Sequence, residues 1–569
     1  PLIKAKMKNI SIIILLFLCL AGNAQNQISF PEVLTGTNFS LSIHYDSVQF
    51  LPGLKTLTNA FNNNSYLGPT LILNKGDLVT MNVENQLNDT STVHWHGLHV
   101  PAADDGGPHT PIMAGATWSP DFVVMNNASM YWYHPHLHMK TGMQAMRGAA
   151  GLIIVRDPEE AELNLPRRYG EDDFPLVVQT QELNTNNQIL WRGMHDSIIM
   201  VNGTINPARD VPAQVIRLRL LNAAQERNFN FGLSGNRDFY VIGNDGGLIP
   251  QPVNVNRIRL SPGERAEILV DLNGMNGQVL YLMSYASELP PGVQGGPPMI
   301  GMDTSMYSPL NGIDFNILQM QVVNPLDNPV TSVPASLVEV NPWLPEMADT
   351  TRFINITAEN MMSMDGPFFF NDQLFEMERI DQQIPLNNLE IWSISNETMV
   401  AHPFHIHDVQ FFVLDRDGIT VSAEEAGYKD VVMVGPNETV NLITKFEDFA
   451  DTTVPYMYHC HILMHEDDGM MGQFVVVPGP STGLRDLKNI QDDLKIYPNP
   501  VDDQLRFVFP DGSAPQIFSY RIVNIMGITI DYLTDFNRRI VNVSKLSPGF
   551  YILVIEFENK IYKGIFIKN

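Results

Sequence analysis

The sequence predicts an all-β protein: three successive β-sandwich domains and a small β-sandwich at the C-terminal end. Two observations carry that expectation. Short runs of alternating apolar residues, broken by Gly, Pro or Asn, dominate the 569 residues, and helical periodicity is scarce. A pattern also recurs along the chain: Val79, Met81 and Val83 lead to Asn85; Ile216, Leu218 and Leu220 lead to Asn222; Ile391 and Ile394 lead to Asn396. Each copy is followed, some distance on, by a glycine turn and another strand, at AGATWSPDFVV, SPGERAEILVDL and GPNETVNLITKF. Repeats of this size indicate three domains of one kind.

Residues 1–24 read as upstream residues and a secretory signal peptide, with Met7, Lys8, the apolar run Ile12 to Leu20 and the small residues Gly22 and Ala24 before a cleavage point. That run is too short to span a bilayer, and no later segment is long and apolar enough to do so. The first domain is expected over residues 25–157, the second over 175–323 and the third over 353–478. Residues 479–493 read as a linker. Beyond it, KIYPNPVDDQLRF, SYRIVNIMGITI and LSPGFYILVIE alternate like strands of a small sandwich over 494–569.

With 35 basic and 62 acidic residues the net charge is -27, which argues against nucleic acid or an anionic membrane as partner. Of the two cysteines, Cys19 lies in the leader, so the exported chain holds Cys460 alone and forms no intramolecular disulfide. A lone cysteine in an oxidising setting is better explained as a metal ligand than as a staple.

Cys460 stands in YHCHILMHEDDGMM, from Tyr458 to Met471. If the start of this stretch is extended, His459 and His461 point to one side and Cys460 to the other. One strand then feeds two metal sites. A thiolate with imidazoles and a distant thioether is the ligand set of a blue-copper electron-transfer centre, and Cys460, His465 and Met470 supply three of its four members. The bland reading, a buried free cysteine near surface histidines, fails on density. HWHG carries His94 and His96, YHPHLH carries His134 and His136, and HPFHIH carries His402, His405 and His407. Ten of the fifteen histidines fall in these four groups, and each group has the His-x-His spacing that aims two imidazoles to one side of a strand.

With these four motifs in this order, the chain from about Gly68 to Val477 resembles a multicopper oxidase of the bacterial laccase and copper-efflux kind. The resemblance implies three cupredoxin-like Greek-key domains and four coppers per chain. It assigns His402, Cys460 and His465, with Met470 axial, to a type 1 copper, and His94 and His405 to a type 2 copper. It assigns His96, His134, His136, His407, His459 and His461 to a type 3 pair. Asp105 and Glu466 resemble proton-relay carboxylates of the copper-efflux oxidases, with Asp104 adjacent to the first as an alternative. His99, His109 and His138 stand off the ligand spacing and read as supporting or surface groups.

The implied activity is oxidation of phenols, aromatic amines or metal ions, one electron at a time, coupled to reduction of O2 to water. A cuprous oxidase for copper detoxification is the alternative enzyme, and a copper-binding or structural scaffold the alternative without catalysis. Met299, Met302 and Met306, with Met361, Met362 and Met364, could offer soft sulfur to Cu(I), although apolar packing and loop filling are the simpler reading. Between Asp157 and Phe353 the sole histidine is His195, so the middle domain reads as a structural spacer. The tail resembles the sorting domain of type IX secretion in its YPNP start, NIMG turn, LSPGFY element and basic end at Lys568. It implies that secretion machinery as a partner and a secreted or surface-attached location reached through the periplasm.

Overall fold

The computed structural model describes residues 26–301, 303–360, 363–479, 494–509, 518–524, 529–536, 539–557 and 560–569. The expected signal peptide, most of the linker and of the NIMG turn, and Met302, Met361 and Met362 lie outside the described residues. The described chain is nearly all β, as expected, and divides into two units, Pro1–Val477 and Pro478–Asn569.

The larger unit contains three pairs of sheets, one pair per cupredoxin-like domain. In the first, a five-stranded sheet ends on Ser129–His134 and His94–His96, packed against a sheet built on Asn38–Val48 and Leu78–Asn85. Leu41, Val79, Met81, Val83, Trp95 and Ile153 fill the space between them. In the second, Val215–Asn222 pairs with Asp173–Gln181 and Arg265–Asp271, while the short strand Asn26–Gln27 joins the opposite sheet beside Pro207–Pro212. In the third, Asp451–Cys460 lies between Met471–Val477 and His402–Ile406. No helix among the described residues is long and apolar enough to cross a membrane.

The recurring asparagine has the same role in each domain. At the end of its strand, the Oδ1 of Asn85, Asn222 and Asn396 accepts the backbone N–H two residues on, from Leu87, Ala224 and Thr398, at 3.0, 3.0 and 2.9 Å. The amide of Asn222 donates to Arg227 O at 2.8 Å and Leu260 O at 2.9 Å, and that of Asn396 to Val400 O at 2.8 Å and Gly435 O at 2.9 Å. Asn85 does likewise with Asp89 O at 2.9 Å and Ile112 O at 2.7 Å. All three are buried, so a single side chain satisfies the turn that leaves the strand and ties it to a neighbouring loop.

The alternation of Val215–Asn222 suggests a wet face carrying Arg217 and Arg219, yet both faces are covered. Arg219 donates to Asp173 at 2.7 and 2.9 Å, and Arg217 donates to Glu160 at 2.7 Å and to Glu267. Paired in this way, the charges are tolerated inside.

The smaller unit packs a three-stranded sheet against a four-stranded one around Leu505, Phe507, Ile522, Leu553 and Phe566.

Replacing Asn222 by Ala leaves two buried carbonyls and an N–H without partners in the turn that leaves its strand. Urea unfolding is expected to show a loss of roughly 2–3 kcal/mol, and an unchanged midpoint would mean that the turn does not depend on this side chain.

Candidate metal centres

The antiparallel pairing of His402–Ile406 with Asp451–Cys460 sets Phe404 opposite Cys460 and His405 opposite His459. Alternation then sorts the side chains. His402 and Cys460 share one face with the apolar core of the third domain, and His405, His407, His459 and His461 share the other. In the first domain, the pairing of His94 with His134 and of His96 with Trp132 brings a second set of imidazoles to the same junction.

On the core side, Cys460 Sγ lies 3.6 Å from His402 Nδ1 and 3.5 Å from His465 Nδ1. Met470 is buried in the same core, and its backbone closes the loop: Cys460 N donates to Met470 O at 3.2 Å and Met470 N to His465 O at 2.8 Å. Thr398 Oγ1 holds His402 Nε2 at 3.0 Å. The Phe368 ring packs 4.6 Å from both imidazoles and keeps the group dry. Burial pushes the Cys460 thiol up and holds His465 down at about 3. Two neutral imidazoles and a thiol that ionises only in exchange for a metal suit a soft cation such as copper.

On the other side lies a cage of eight histidines. His96, His134 and His461 form one group, His136, His407 and His459 a second, and His94 and His405 meet beside them. Within the first, His96 Nδ1 is 3.3 Å from both His134 Nε2 and His461 Nε2; within the second, His136 Nε2 is 3.1 Å from His459 Nε2. Burial, reinforced by neighbouring imidazoles, holds His96, His134, His136, His405, His407, His459 and His461 well below the usual histidine value. Neutral imidazole is the ligating form.

The outward nitrogens are fixed by hydrogen bonds. His94 Nδ1 contacts Asp105 O at 3.0 Å, His405 Nδ1 contacts Asp430 O at 2.7 Å, and His407 Nδ1 contacts the Asp105 carboxylate at 2.8 Å. The opposite nitrogens, Nε2 of His94, His405 and His407, are buried with no protein partner among the described residues. Orphaned lone pairs that converge inside a protein are what a bound cation would satisfy, so the residues fit copper.

Of the two adjacent acids, Asp105 reaches the cage and Asp104 does not: its carboxylate is buried, and Oδ1 also lies 3.4 Å from His94 Nδ1. Glu466 sits on the far side, 3.4 Å from both His136 Nδ1 and His459 Nδ1. Burial, with Asp467 nearby, pushes its carboxyl well above the usual range. His99 contacts Asp408 at 2.8 Å, His109 contacts Gln473 at 2.7 Å, and His138 packs on Phe375, so all three stand outside the groups.

Sequence reasoning passed over Thr398, Phe368 and Asp430. Only Asp430 left a signal, as a charge opening the apolar run after Lys429. A cavity of about 290 Å3 reaches His465, its wall formed by Met299, Met364, Met464, Tyr307 and Glu226. Met306 belongs to the short turn Thr304–Met306.

Residues 42–160, 171–297 and 344–480 each match a family described as multicopper oxidase, and residues 495–569 match a secretion system C-terminal sorting domain. Multicopper oxidase mco of Staphylococcus haemolyticus is 32% identical over 472 residues, covering 80% of this chain and 94% of that protein. Cell division protein FtsP of Xenorhabdus nematophila is 30% identical over 422 residues, covering 73% of this chain and 84% of that one. Among solved structures, a bacterial laccase-like multi-copper oxidase, CueO from the lignin-degrading bacterium Ochrobactrum sp., has a TM-score of 0.70 at 33% identity. The match covers 79% of this chain and 100% of that chain, and that enzyme has oxidase activity towards lignin model compounds and lignosulfonate.

In the cavity wall, burial, aided by Asp196, pushes the half-buried Glu226 carboxyl from 4.5 up to about 7. A raised carboxyl favours the folded state while protonated, so its contribution is complete below about 4.5 and is lost as pH rises through about 7. Thermal melts across that window should show Glu226→Gln flattening the decline. A slope identical to that of the unaltered protein would mean that the carboxyl is solvated.

Proposed function

The chain belongs to the multicopper oxidase family, and from that premise we propose that it is an exported, laccase-like oxidase. It takes single electrons from phenols or aromatic amines at the Cys460 centre and reduces O2 to water in the histidine cage. The observation that carries this reading is the placement of a thiol–imidazole group and an imidazole cage on the two faces of one strand.

His402, Cys460 and His465, with Met470 axial, are the residues proposed to hold a type 1 copper. His94 and His405 would hold the type 2 ion, and the remaining six cage histidines the type 3 pair, making four coppers per chain. When bound, copper supplies one-electron redox chemistry and a site for O2. The chain supplies the rest. Cys460 is covalently joined to His459 and His461, so a short backbone path links the sulfur group to both imidazole groups. Phe368 and the apolar core exclude water from the sulfur. His465 borders a cavity whose size suits a single aromatic ring. Asp105, bonded to His407, and Glu466, facing His136 and His459, are placed to hold protons at the cage.

Cuprous ion is a second substrate reading, favoured by the thioethers of Met299, Met364 and Met464 in the same wall. A scaffold without catalysis is opposed by the complete donor set. The tail, which matches a secretion sorting domain, supports export by type IX secretion.

Copper-loaded protein is expected to be blue and to consume O2 with a phenolic reductant, and Cys460→Ser to abolish both. Colourless holoprotein, or O2 uptake that survives the serine, would reject the oxidase reading. Asp105→Asn should slow O2 reduction by roughly ten-fold or more while the blue absorption stays; full turnover would remove Asp105 from the proton path. Rates with cuprous ion and with a phenol, measured side by side, decide between the two substrates.

A further inference from the structure

Resting on the reading of the cage as a copper site, we propose that the turn Ser261–Arg265 of the middle domain is a positioning element for one cage ion. That ion is the one assigned to His96, His134 and His461. Two contacts from this turn carry the proposal, one made directly to His461 and one that reaches His96 through Asp430.

Gly263 has φ of 86°. A Cβ there would lie 2.7 Å from Cδ2 and 2.8 Å from Cγ of His461, so the bare backbone lies against that ring and sets its plane. Two residues on, Arg265 donates Nη1 to Asp430 Oδ1 at 2.5 Å and Nη2 to Oδ2 at 2.6 Å. Asp430 Oδ1 in turn lies 3.2 Å from His96 Nε2. A carboxylate fixed by a two-pronged guanidinium accepts the Nε2 proton of His96. The Nδ1 lone pair then faces His134 and His461. One turn of the middle domain thus holds the tautomer of one ligand and the orientation of another.

The same arginine binds all three domains together. Its Nε donates to Met130 O at 3.2 Å, Nη1 to Gly263 O at 3.0 Å and Nη2 to Asp245 O at 2.9 Å. Lys429 Nζ closes the knot, 3.2 Å from Asp245 and 2.9 Å from Glu264. Every member is buried. Arg265 and Lys429 thus lie buried among the carboxylates of Asp245, Glu264 and Asp430. The group of His136, His407 and His459 is served instead by Asp105 and Glu466. The middle domain therefore acts on one half of the type 3 pair.

The test uses copper-loaded Gly263→Ala, Asp430→Asn and Arg265→Lys, measured for copper content, blue absorption, electron paramagnetic resonance and O2 uptake. The first two are expected to keep the blue absorption and to lose copper from the cage. A new paramagnetic signal should appear as the formerly coupled pair is broken, with O2 turnover down roughly ten- to hundred-fold. Arg265→Lys, which keeps the charge of the knot but not the fork, is expected to fall between them and the unaltered protein. Full copper content with unaltered spectra and turnover overturns the proposal. So does loss of the blue absorption in step with the cage copper, which would mean that the turn serves folding alone; should Gly263→Ala fail to fold, the other two variants decide. The unaltered holoprotein in the same assays reports on the oxidase reading itself, so the two failures are told apart.

Discussion

Desolvation is the constraint on which the rest of this structure depends. Nine of the ten motif histidines and Cys460 are at most 1% exposed, a depth at which an imidazolium or a free thiolate would be costly. The cage imidazoles with resolved shifts are accordingly held neutral, and the Cys460 thiol is held protonated until something replaces its proton. A junction of this composition is a poor hydrophobic core and a good metal receptor. Joining the first and third domains and binding metal are therefore one linked event.

The strand Asp451–Cys460 shows how a sheet meets that constraint. Tyr456, Tyr458 and Cys460 face the core of the third domain, and Met457 and His459 face the other way. Both sides are dry, which a strand allows only when another domain covers its second face. The middle domain reaches this arrangement at two points, where Gly263 lies against His461 and where Arg265 holds the Asp430 carboxylate that meets His96. Its own interior is also charged, with Arg217 and Arg219 matched to Glu160, Asp173 and Glu267.

Much of the fold was legible because it rests on local rules. Period-two alternation marked the strands, and the repeated asparagine after each marked a turn that every domain builds in the same way. The His-x-His spacing was equally readable, since alternation alone sends the two imidazoles to one side. Alternation is silent on what covers Arg217 and Arg219, because burial of that face depends on partners distant in the chain.

By itself, the sequence determined which side chains share a face, that Cys460 adjoins both His459 and His461 in the backbone, and that the candidate donors are nitrogen and sulfur. Only the tertiary structure decided how those donors divide among groups. It sent the neighbours His459 and His461 to different clusters, chose Asp105 over Asp104, and brought Asp430, Thr398 and Phe368 to imidazoles they do not adjoin in sequence. The physical reason is range. Strand periodicity acts over two residues, whereas His96 meets Asp430 across 334 positions, a proximity set by the packing of whole domains.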